Sequence, residues 1–265
     1  AWDMCVIVTY LVINILDIVW LARGDERKVK TLSYVALPVA ILVHSVTAWI
    51  FGLEIAKEGW YSAIMAPIFV ASACDSGLAL LMVVLAAVRK AGVFDCGSAL
   101  FADLARLLAV FIAVDAFFVG CELLTVAYPG AEGATQLLSI MTSGSTAPFF
   151  WFEILGGLLV PFLLLASAKR RKHAGVVVAA SVLVMCGVLC KRVWLLFSSF
   201  AMTNVYGAPG ISSGSTVARG ADGFDMWALV GSYTPQPVEF AVVAAVVAFC
   251  ILGIALLSKK LVAKE

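Results

Sequence analysis

Residues 31–53 (TLSYVALPVAILVHSVTAWIFGL), 54–60 (EIAKEGW) and 61–89 (YSAIMAPIFVASACDSGLALLMVVLAAVR) form the stretch that decides the fold. The first and third segments are apolar runs longer than the roughly 20 residues that a helix needs to cross a bilayer. The second segment is a short, more polar break between them. Each apolar run carries one ionisable residue near its middle, His44 and Asp75. The stretch therefore predicts two membrane-spanning helices joined by a tight turn.

The rest of the chain has the same character. Of its 265 residues, 63% are hydrophobic and 13% are charged, and the mean hydropathy is +1.06. Soluble domains carry about a quarter charged residues, and strands of a barrel would read as short alternating segments. The predicted fold class is therefore all-α: a polytopic transmembrane helix bundle that forms a single transmembrane domain over residues 1–265. The net charge of +1 and the lack of a basic patch predict no nucleic-acid partner.

Seven spans can be placed along the chain, at residues 2–22, 31–53, 60–88, 100–128, 148–168, 174–200 and 238–258. The sequence starts at Ala1 directly before a span, without an initiator Met or a signal peptide. We therefore expect one or more further spans to precede the visible N-terminus.

Positive charges are unevenly shared between alternate connections. Thirteen of the 18 Lys and Arg residues lie in the first, third and fifth connections and the C-terminal tail, whereas the other connections hold only Lys57 and Arg219. Connections rich in Lys and Arg normally stay in the cytoplasm. This pattern predicts a cytoplasmic C-terminus and a visible N-terminus on the outside.

Two long connections, at residues 129–147 and 201–237, fall on the predicted outer side. Both are rich in Gly, Ser, Thr and Pro, and loops of this length often serve a function. We interpret them as a docking surface for an extracytoplasmic partner. The alternative is a plain connector with short re-entrant helices.

Cysteine and histidine usage limits the cofactors that this chain can hold. Its seven cysteines are scattered and form no CxxC motif, and one of its two histidines, His173, lies in a basic loop. An iron–sulphur cluster needs about four converging thiolates, and a bis-histidine haem needs two histidines within the bundle. We expect no metal site, haem or iron–sulphur cluster bound by this chain.

Ionisable residues occur at several depths of the predicted membrane. An ionised side chain at the centre of a span costs roughly 2.5–3.5 kcal/mol, so it normally faces the bundle interior and finds a partner. Asp75 and Asp115 fall near mid-membrane. The others are distributed as follows: His44, Glu122, Glu153, Lys191 and Arg192 in the outer half, Glu239 at the outer edge, and Asp17, Asp103 and Arg106 toward the cytoplasm.

Spacing predicts which groups share a face. Thr47 lies one turn after His44, and Ser72 lies one turn before Asp75. The second span thus offers an imidazole and a hydroxyl, and the third a carboxyl and a hydroxyl. Such a set can exchange protons and hydrogen-bond a carbonyl or phenolic oxygen. We interpret His44 and Asp75 as facing each other around a bound, proton-exchanging molecule.

Each of these residues also has a purely structural interpretation. Asp103 and Arg106, three residues apart, can form a structural ion pair. Lys191 and Arg192 can neutralise Glu122, Glu153 or Glu239 across helix contacts. His44 can be a hydrogen-bonded packing residue, and Asp17 can be solvated at its end of the span.

Four segments resemble a known family in order along the chain. They are residues 44–81 (HSVTAWIFGLEIAKEGWYSAIMAPIFVASACDSGLALL), 148–164 (PFFWFEILGGLLVPFLL), 190–197 (CKRVWLLF) and 233–240 (YTPQPVEF). The family is that of NrfD/polysulphide reductase membrane subunits, and the similarity covers essentially the whole chain. Family members usually have eight to ten spans, more than the seven visible here.

The resemblance implies a membrane anchor subunit of a prokaryotic inner-membrane respiratory complex, which exchanges electrons and protons with menaquinone or ubiquinone. Its partners would be a ferredoxin-like iron–sulphur subunit on the outer loops and a multihaem cytochrome or molybdopterin subunit. His44 and Asp75 match the His and Asp of the quinone pocket in the alternative complex III branch of the family.

From the matched positions we expect His44 and Asp75 to be catalytic, with Thr47, Ser72 and Glu153 beside them at the quinone. A second hypothesis makes the subunit a redox-driven proton pump. Its proton path comprises the remaining charged residues: Asp17, Asp103, Arg106, Asp115, Glu122, Lys191, Arg192 and Glu239.

The principal rival function is a secondary transporter whose substrate site uses the same mid-membrane charges. The sequence shows no obvious inverted repeat, which disfavours a transporter. Seven spans also suggest a retinal protein, but residues 238–258 lack a mid-membrane Lys for a Schiff base.

Overall fold

The computed structural model describes residues 2–94, 97–202, 219–220, 223–224 and 236–257. Within these residues the chain is almost entirely helical, with one antiparallel pairing between the two-residue strands β1 (Arg219–Gly220) and β2 (Gly223–Phe224). The helices are α1 (Trp2–Ala22), α2 (Glu26–Gly52), α3 (Met65–Lys90), α4 (Ser98–Ala127), α5 (Glu132–Thr142), α6 (Ala147–Trp151), α7 (Val160–Ala166), α8 (Ala168–Arg171), α9 (Ala174–Phe200) and α10 (Pro237–Leu257), with a π-helical segment (Phe152–Leu159) between α6 and α7.

Among the described residues, seven helices are long and apolar enough to cross a membrane, which confirms the all-α class and the seven predicted spans. The fifth span, Ala147–Ala166, comprises α6, the π-helical segment and α7. The second span begins at Glu26, before the predicted start, because the Asp25 side chain accepts a hydrogen bond from the backbone N–H of Lys28 (3.3 Å) and so caps the basic first turn. The third span begins at Met65, after the predicted start, because residues 60–64 belong to the preceding connection.

Four spans form the centre of the bundle: α3 packs against α4 and α9, and the fifth span also packs against α4 and α9. Helix α2 packs on α3, and α1 packs on α2. No residue of α10 is buried. We call the end of the bundle that carries Lys90, Lys169 and Lys172 the basic end, and the opposite end, with residues 53–64 and α5, the loop end.

The buried residues are arranged in three layers along the bundle. The layer nearer the basic end is apolar and includes Met82, Leu108, Ile112, Leu165 and Val184, all 0–1% exposed. The layer nearer the loop end is apolar and aromatic, and contains Met65, Phe69, Leu137, Phe150 and Trp194. Between them lies a layer of buried polar side chains: Ser72, Asp75, Asp115, Glu153 and Lys191.

The π-helical segment sits where the fifth span crosses α9. Pro161 follows two residues after its end and has no N–H to donate to the carbonyl of Gly157, so the regular α-helical ladder cannot continue there. The wider turn brings Gly157 against Gly187 of α9, and a Cβ atom on Gly157 would lie 2.6 Å from the Cα of Gly187. The two backbones therefore approach as closely as only glycine permits.

The structure describes the first of the two long connections but very little of the second. Residues 129–147 contain α5, whose Leu137 and Met141 are buried against the loop end of the bundle. The short helix of the plain-connector alternative is therefore present. The predicted docking surface at 201–237 lies almost entirely outside the described residues.

Candidate functional site

The polar layer is centred on Lys191 of α9. Its ammonium group lies 2.5 Å from Oδ2 of Asp115 on α4 and 3.1 Å from Oε1 of Glu153 in the π-helical segment. All three side chains are 0–1% exposed. Because a lone ammonium would be very costly at this depth, the two carboxyls are what allow Lys191 to be buried. The proposed neutralisation of Glu153 by Lys191 is therefore observed, and Asp115 is a second partner that the sequence did not indicate.

Trp194 also binds the Glu153 carboxyl. Its indole Nε1 donates a hydrogen bond to Oε2 of Glu153, while its ring packs edge-on against Phe150 at 5.5 Å. Trp194 lies one turn after Lys191 on the same face of α9. Both therefore reach the same carboxyl.

Asp75 extends the polar layer toward α3. Its side chain is fully buried and adjoins both the Asp115 carboxyl and the Lys191 ammonium. Among the residues that the structure describes, neither oxygen of Asp75 receives a hydrogen bond, and Oδ1 of Asp115 is likewise without a donor. Buried carboxyl oxygens are normally paired, so this corner of the cluster has unused capacity to accept protons.

Arg192 lies on the α3 side of the same cluster. Its Nη2 donates to Oγ of Ser72 at 3.1 Å, and its guanidinium stacks 3.6 Å from the ring centroid of Phe69. Arg192 is also close enough to His44 and to Asp75 for electrostatic interaction. Arg192 therefore lies within electrostatic range of both His44 and the buried carboxyls, with no ion pair to any of them among the described residues.

His44 and Asp75 are not joined by a hydrogen bond in the described part of the chain. His44 is exposed on α2, whereas Asp75 is buried and adjoins the Asp115 carboxyl and the Lys191 ammonium. The interpretation that His44 and Asp75 face each other around a bound molecule therefore stays a prediction.

The remaining predicted residues are spread over the bundle. Thr47 is half-buried and donates to Oδ1 of Asp3 at 3.4 Å and to the carbonyl of Val43 at 2.9 Å. Asp103 and Arg106 are both exposed and form no ion pair with each other among the described residues, contrary to the structural interpretation.

Two predicted residues lie on peripheral helices. Asp17 on α1 is half-buried, and its Oδ1 has no hydrogen-bond partner among the residues that the structure describes. Glu239 is exposed and accepts a hydrogen bond from the backbone of Gln236 at 3.2 Å. Neither contacts the Lys191 cluster in the described residues.

A small cavity is lined by both Glu122 and Lys191. It has a volume of about 30 Å³, and its lining includes Glu122, Lys191, Trp194, Met65 and Leu137. Oγ of Ser62 donates to Oε2 of Glu122 at 2.5 Å. A volume of this size accommodates one or two water molecules, and Glu122 and Lys191 are the charged side chains in its otherwise largely apolar lining.

The connection between α2 and α3 covers this cavity at the loop end. The indole of Trp60 donates to the carbonyl of Leu195 at 3.0 Å, and Oγ of Ser199 donates to the carbonyl of Glu58 at 2.7 Å. Lys57 donates to the carbonyl of Ser199 at 3.3 Å, and its burial lowers the pKa of the ammonium below its ordinary value. The connection is therefore fixed onto the end of α9.

Three residues of the site were not singled out by the sequence analysis: Trp194, Ser62 and Phe69. Trp194 lies inside the CKRVWLLF segment, three residues after Lys191, so helical spacing was the available signal. No local signal marks Ser62 or Phe69, because their roles depend on neighbouring helices. Among the described residues, no group of three or more His, Cys, Asp and Glu side chains is arranged to hold a metal ion.

Comparison with known proteins covers most of the chain. The model for the family described as Polysulphide reductase, NrfD matches residues 1–204, which include α1 to α9. The chain is 36% identical over 231 residues to a Halobacterium salinarum protein that is named as a membrane subunit of dimethyl sulfoxide reductase. That alignment covers 85% of this chain and 52% of the relative.

Two further relatives are more distant. The Hdr-like menaquinol oxidoreductase integral membrane subunit of Archaeoglobus fulgidus is 25% identical over 249 residues, which are 94% of this chain and 61% of the relative. A selenate reductase subunit of Mesobacillus selenatarsenatis is 29% identical over 174 residues, which are 65% of this chain and 39% of the relative. The chain thus spans about half the length of the relatives that it matches.

Proposed function

Because the chain belongs to the NrfD polysulphide reductase family, we propose that it is the quinone-reactive membrane subunit of a respiratory redox complex. It exchanges electrons and protons between a quinone pool and an adjoining iron–sulphur subunit. The relatives' names refer to a menaquinol oxidoreductase, a dimethyl sulfoxide reductase and a selenate reductase. The first of these names favours menaquinone over ubiquinone as the substrate.

The observation that carries the proposal is the position of Arg192, within electrostatic range of exposed His44 and of the buried carboxyls. Quinones are lipid-soluble, so their head group can approach His44 from the membrane along α2. Arg192, whose Nη2 donates to the Ser72 hydroxyl at 3.1 Å, then offers its remaining N–H groups to a quinone oxygen. The Ser72 hydroxyl itself donates to the carbonyl of Phe69 at 3.2 Å. Thr47, one turn from His44, and Glu153, on the far side of Lys191, complete the proposed binding set.

Oxidation of a quinol releases two electrons and two protons. In the proposed mechanism His44 accepts one proton at the membrane-facing side, and the second passes by way of Ser72 to Asp75. The cluster can store it, because Asp75, Asp115 and Glu153 provide three carboxyls against the two cations Lys191 and Arg192. One proton shared between Asp75 and Asp115 makes the cluster neutral and supplies the missing hydrogen bond.

The cavity beside Glu122 supports release of protons at the loop end. On the other side of the cluster, the apolar layer of Met82, Leu108 and Ile112 separates Asp115 from Arg106. The branch of the proton path through Asp17, Asp103 and Arg106 therefore stays a prediction. Proton-to-electron stoichiometry in liposomes tests it, since pumping must exceed the scalar value of one proton per electron.

We further propose that the loop end faces the outside and receives the iron–sulphur subunit. The uneven distribution of Lys and Arg supports this orientation. The partner would in turn serve a molybdopterin or multihaem subunit. Cysteine labelling with a membrane-impermeant reagent, at Glu54→Cys on the loop end and at Lys172→Cys on the basic end, tests the orientation.

The test of the function is quinol-dependent reduction of the partner by the purified complex. His44→Ala and Asp75→Asn are each expected to lower turnover at least about 100-fold, the usual contribution of a positioned acid or base, while the complex still assembles. Full turnover in both variants would refute the proposed site. The rival transporter function predicts instead a chain that purifies without redox-active partners.

A further inference from the structure

A groove on the outer surface of the described bundle lies away from the proposed quinone site. It runs between α4 and the fifth span and has a volume of about 470 Å³. Its walls are apolar or small, and its basic end carries two arginines; the lining residues are Arg106, Ala109, Val110, Ala113, Val114, Phe117, Phe162, Ala166 and Arg171.

The groove continues toward the loop end. A second groove of about 480 Å³ shares Ala113 and Phe162 with the first and extends past Ala116 and Gly120. These small residues on α4 leave space between α4 and the fifth span. The two grooves together form a long apolar channel along the span direction, with positive charge at one end.

Arg106 is exposed on the bundle surface, but its position along α4 places it within the depth of the membrane. It is the ninth residue of α4, about 12 Å from the start of the helix at 1.5 Å per residue. Helix α4 is about 45 Å long, against a hydrocarbon core of about 30 Å. The Cα of Arg106 therefore falls a few ångströms inside the hydrocarbon, where an unpaired guanidinium is costly.

Arg106 has no anionic partner within the described part of the protein. The nearest carboxyl on α4 is that of Asp103, which does not line the groove. Neither Arg106 nor half-buried Arg171 forms an ion pair with Asp103 in the described residues. Guanidinium groups bind phosphate through parallel hydrogen bonds. Two such guanidiniums above an apolar channel match a ligand with an anionic phosphate head and long hydrocarbon chains.

We propose that this groove is a specific binding site for an anionic phospholipid. The phosphate binds between Arg106 and Arg171 at the basic end, and one acyl chain lies along Val110, Ala113 and Phe162. The site uses none of the residues of the proposed quinone site. It therefore stands whether or not the function proposed above is correct.

The test is native mass spectrometry of the whole complex, purified in mild detergent from membranes that contain phosphatidylglycerol and phosphatidylethanolamine. Wild-type complex is expected to retain phosphatidylglycerol. The double variant Arg106→Gln/Arg171→Gln is expected to retain at least about tenfold less, because each arginine attracts an anionic lipid. The charge-matched control Lys169→Gln/Lys172→Gln, exposed and outside the groove, is expected to retain the wild-type amount.

A second variant tests the channel if the double variant fails to assemble. Ala113→Phe fills the position shared by both grooves and keeps both arginines, so it is also expected to lose the lipid. Undiminished phosphatidylglycerol in either assembled variant would overturn the proposal. The proposal would also be overturned if the wild type retained only quinone or phosphatidylethanolamine. It would be overturned as well if the lysine control lost as much phosphatidylglycerol as the arginine double variant.

Discussion

Gly157 and Gly187 hold the fifth span and α9 together at the level of the buried ion pairs. A Cβ atom on Gly187 would lie 2.5 Å from the Cα of Gly157. The two segments are antiparallel, so Glu153, one turn before Gly157, faces Lys191, one turn after Gly187. The close backbone contact thus positions the 3.1 Å approach of Glu153 to Lys191.

Gly187→Ala is expected to destabilise the complex. The added methyl group meets backbone atoms, which cannot rotate away, so the fifth span and α9 must separate and the Glu153–Lys191 distance must increase. Overpacking of this kind costs about 1–3 kcal/mol. Thermal unfolding of the purified complex measures the loss, and quinol oxidation is expected to fall with it.

Gly77→Ala is the matched control for this substitution. Gly77 is also a helical glycine within a span, but a Cβ atom there would meet nothing within 4 Å among the described residues. Its replacement is expected to leave the unfolding temperature unchanged or slightly higher, because alanine favours helix. Equal effects at both glycines would contradict the proposed role of the Gly157–Gly187 contact.

Lys191→Met is expected to destabilise the protein more strongly. It leaves Asp115 and Glu153 buried without their cation, and breaking a buried pair by removing one partner costs about 3–5 kcal/mol. Adding Asp115→Asn and Glu153→Gln to the same chain is expected to restore most of the stability, because the uncompensated charges are then gone. Chemical or thermal unfolding of the single and triple variants measures both effects.

The comparison between these two variants separates charge from packing. If the triple variant is no more stable than Lys191→Met, the loss arises from the shape of the methionine and not from unpaired carboxyls. Lys172→Met, on the exposed basic end, serves as a control and is expected to change stability by at most about 0.5 kcal/mol.

Glu122→Gln is expected to slow turnover without changing the KM for quinol. The amide can still accept the hydrogen bond from Ser62, but it cannot carry a proton between the cavity and the loop end. Steady-state kinetics of the complex in liposomes measure both constants. The control Glu54→Gln removes an exposed carboxyl from the covering connection. A raised KM with unchanged kcat would place Glu122 at the substrate and not on the proton route.

The seven spans were predictable because each is a long apolar run, and the need for partners was predictable because mid-membrane charges are costly. The choice of partners was not. The depth of a residue along a span can be read from the sequence. The rotation of the helix and the identity of the neighbouring helices cannot. The sequence therefore left Glu122, Glu153 and Glu239 as equal candidates to neutralise Lys191. The structure selects Glu153 and adds Asp115.

Two local features explain further differences. The π-helical segment changes the rotation of the fifth span, and only the Gly-Gly pair before Pro161 hints at it. Spacing of three residues made Asp103 and Arg106 a plausible pair, but no ion pair joins them among the described residues. Arg106 instead lines the groove between α4 and the fifth span. Local spacing does not decide between a partner on the same helix and a site between helices.

Arg192→Lys is expected to weaken quinol binding while the complex still assembles. Lysine keeps the positive charge near His44 and Asp75 but cannot stack its planar group on Phe69 and donate to Ser72 at the same time. Loss of a charge-assisted hydrogen bond costs about 1.5–3 kcal/mol, so the KM for quinol is expected to rise at least about tenfold.

Ser72→Ala removes the same hydrogen bond from the other side and is expected to raise the KM in the same direction. In the double variant the two effects are expected to be less than additive, because both substitutions remove one interaction. Strictly additive effects, or an unchanged KM in Arg192→Lys, would show that the Arg192–Ser72 pair does not contact the quinone.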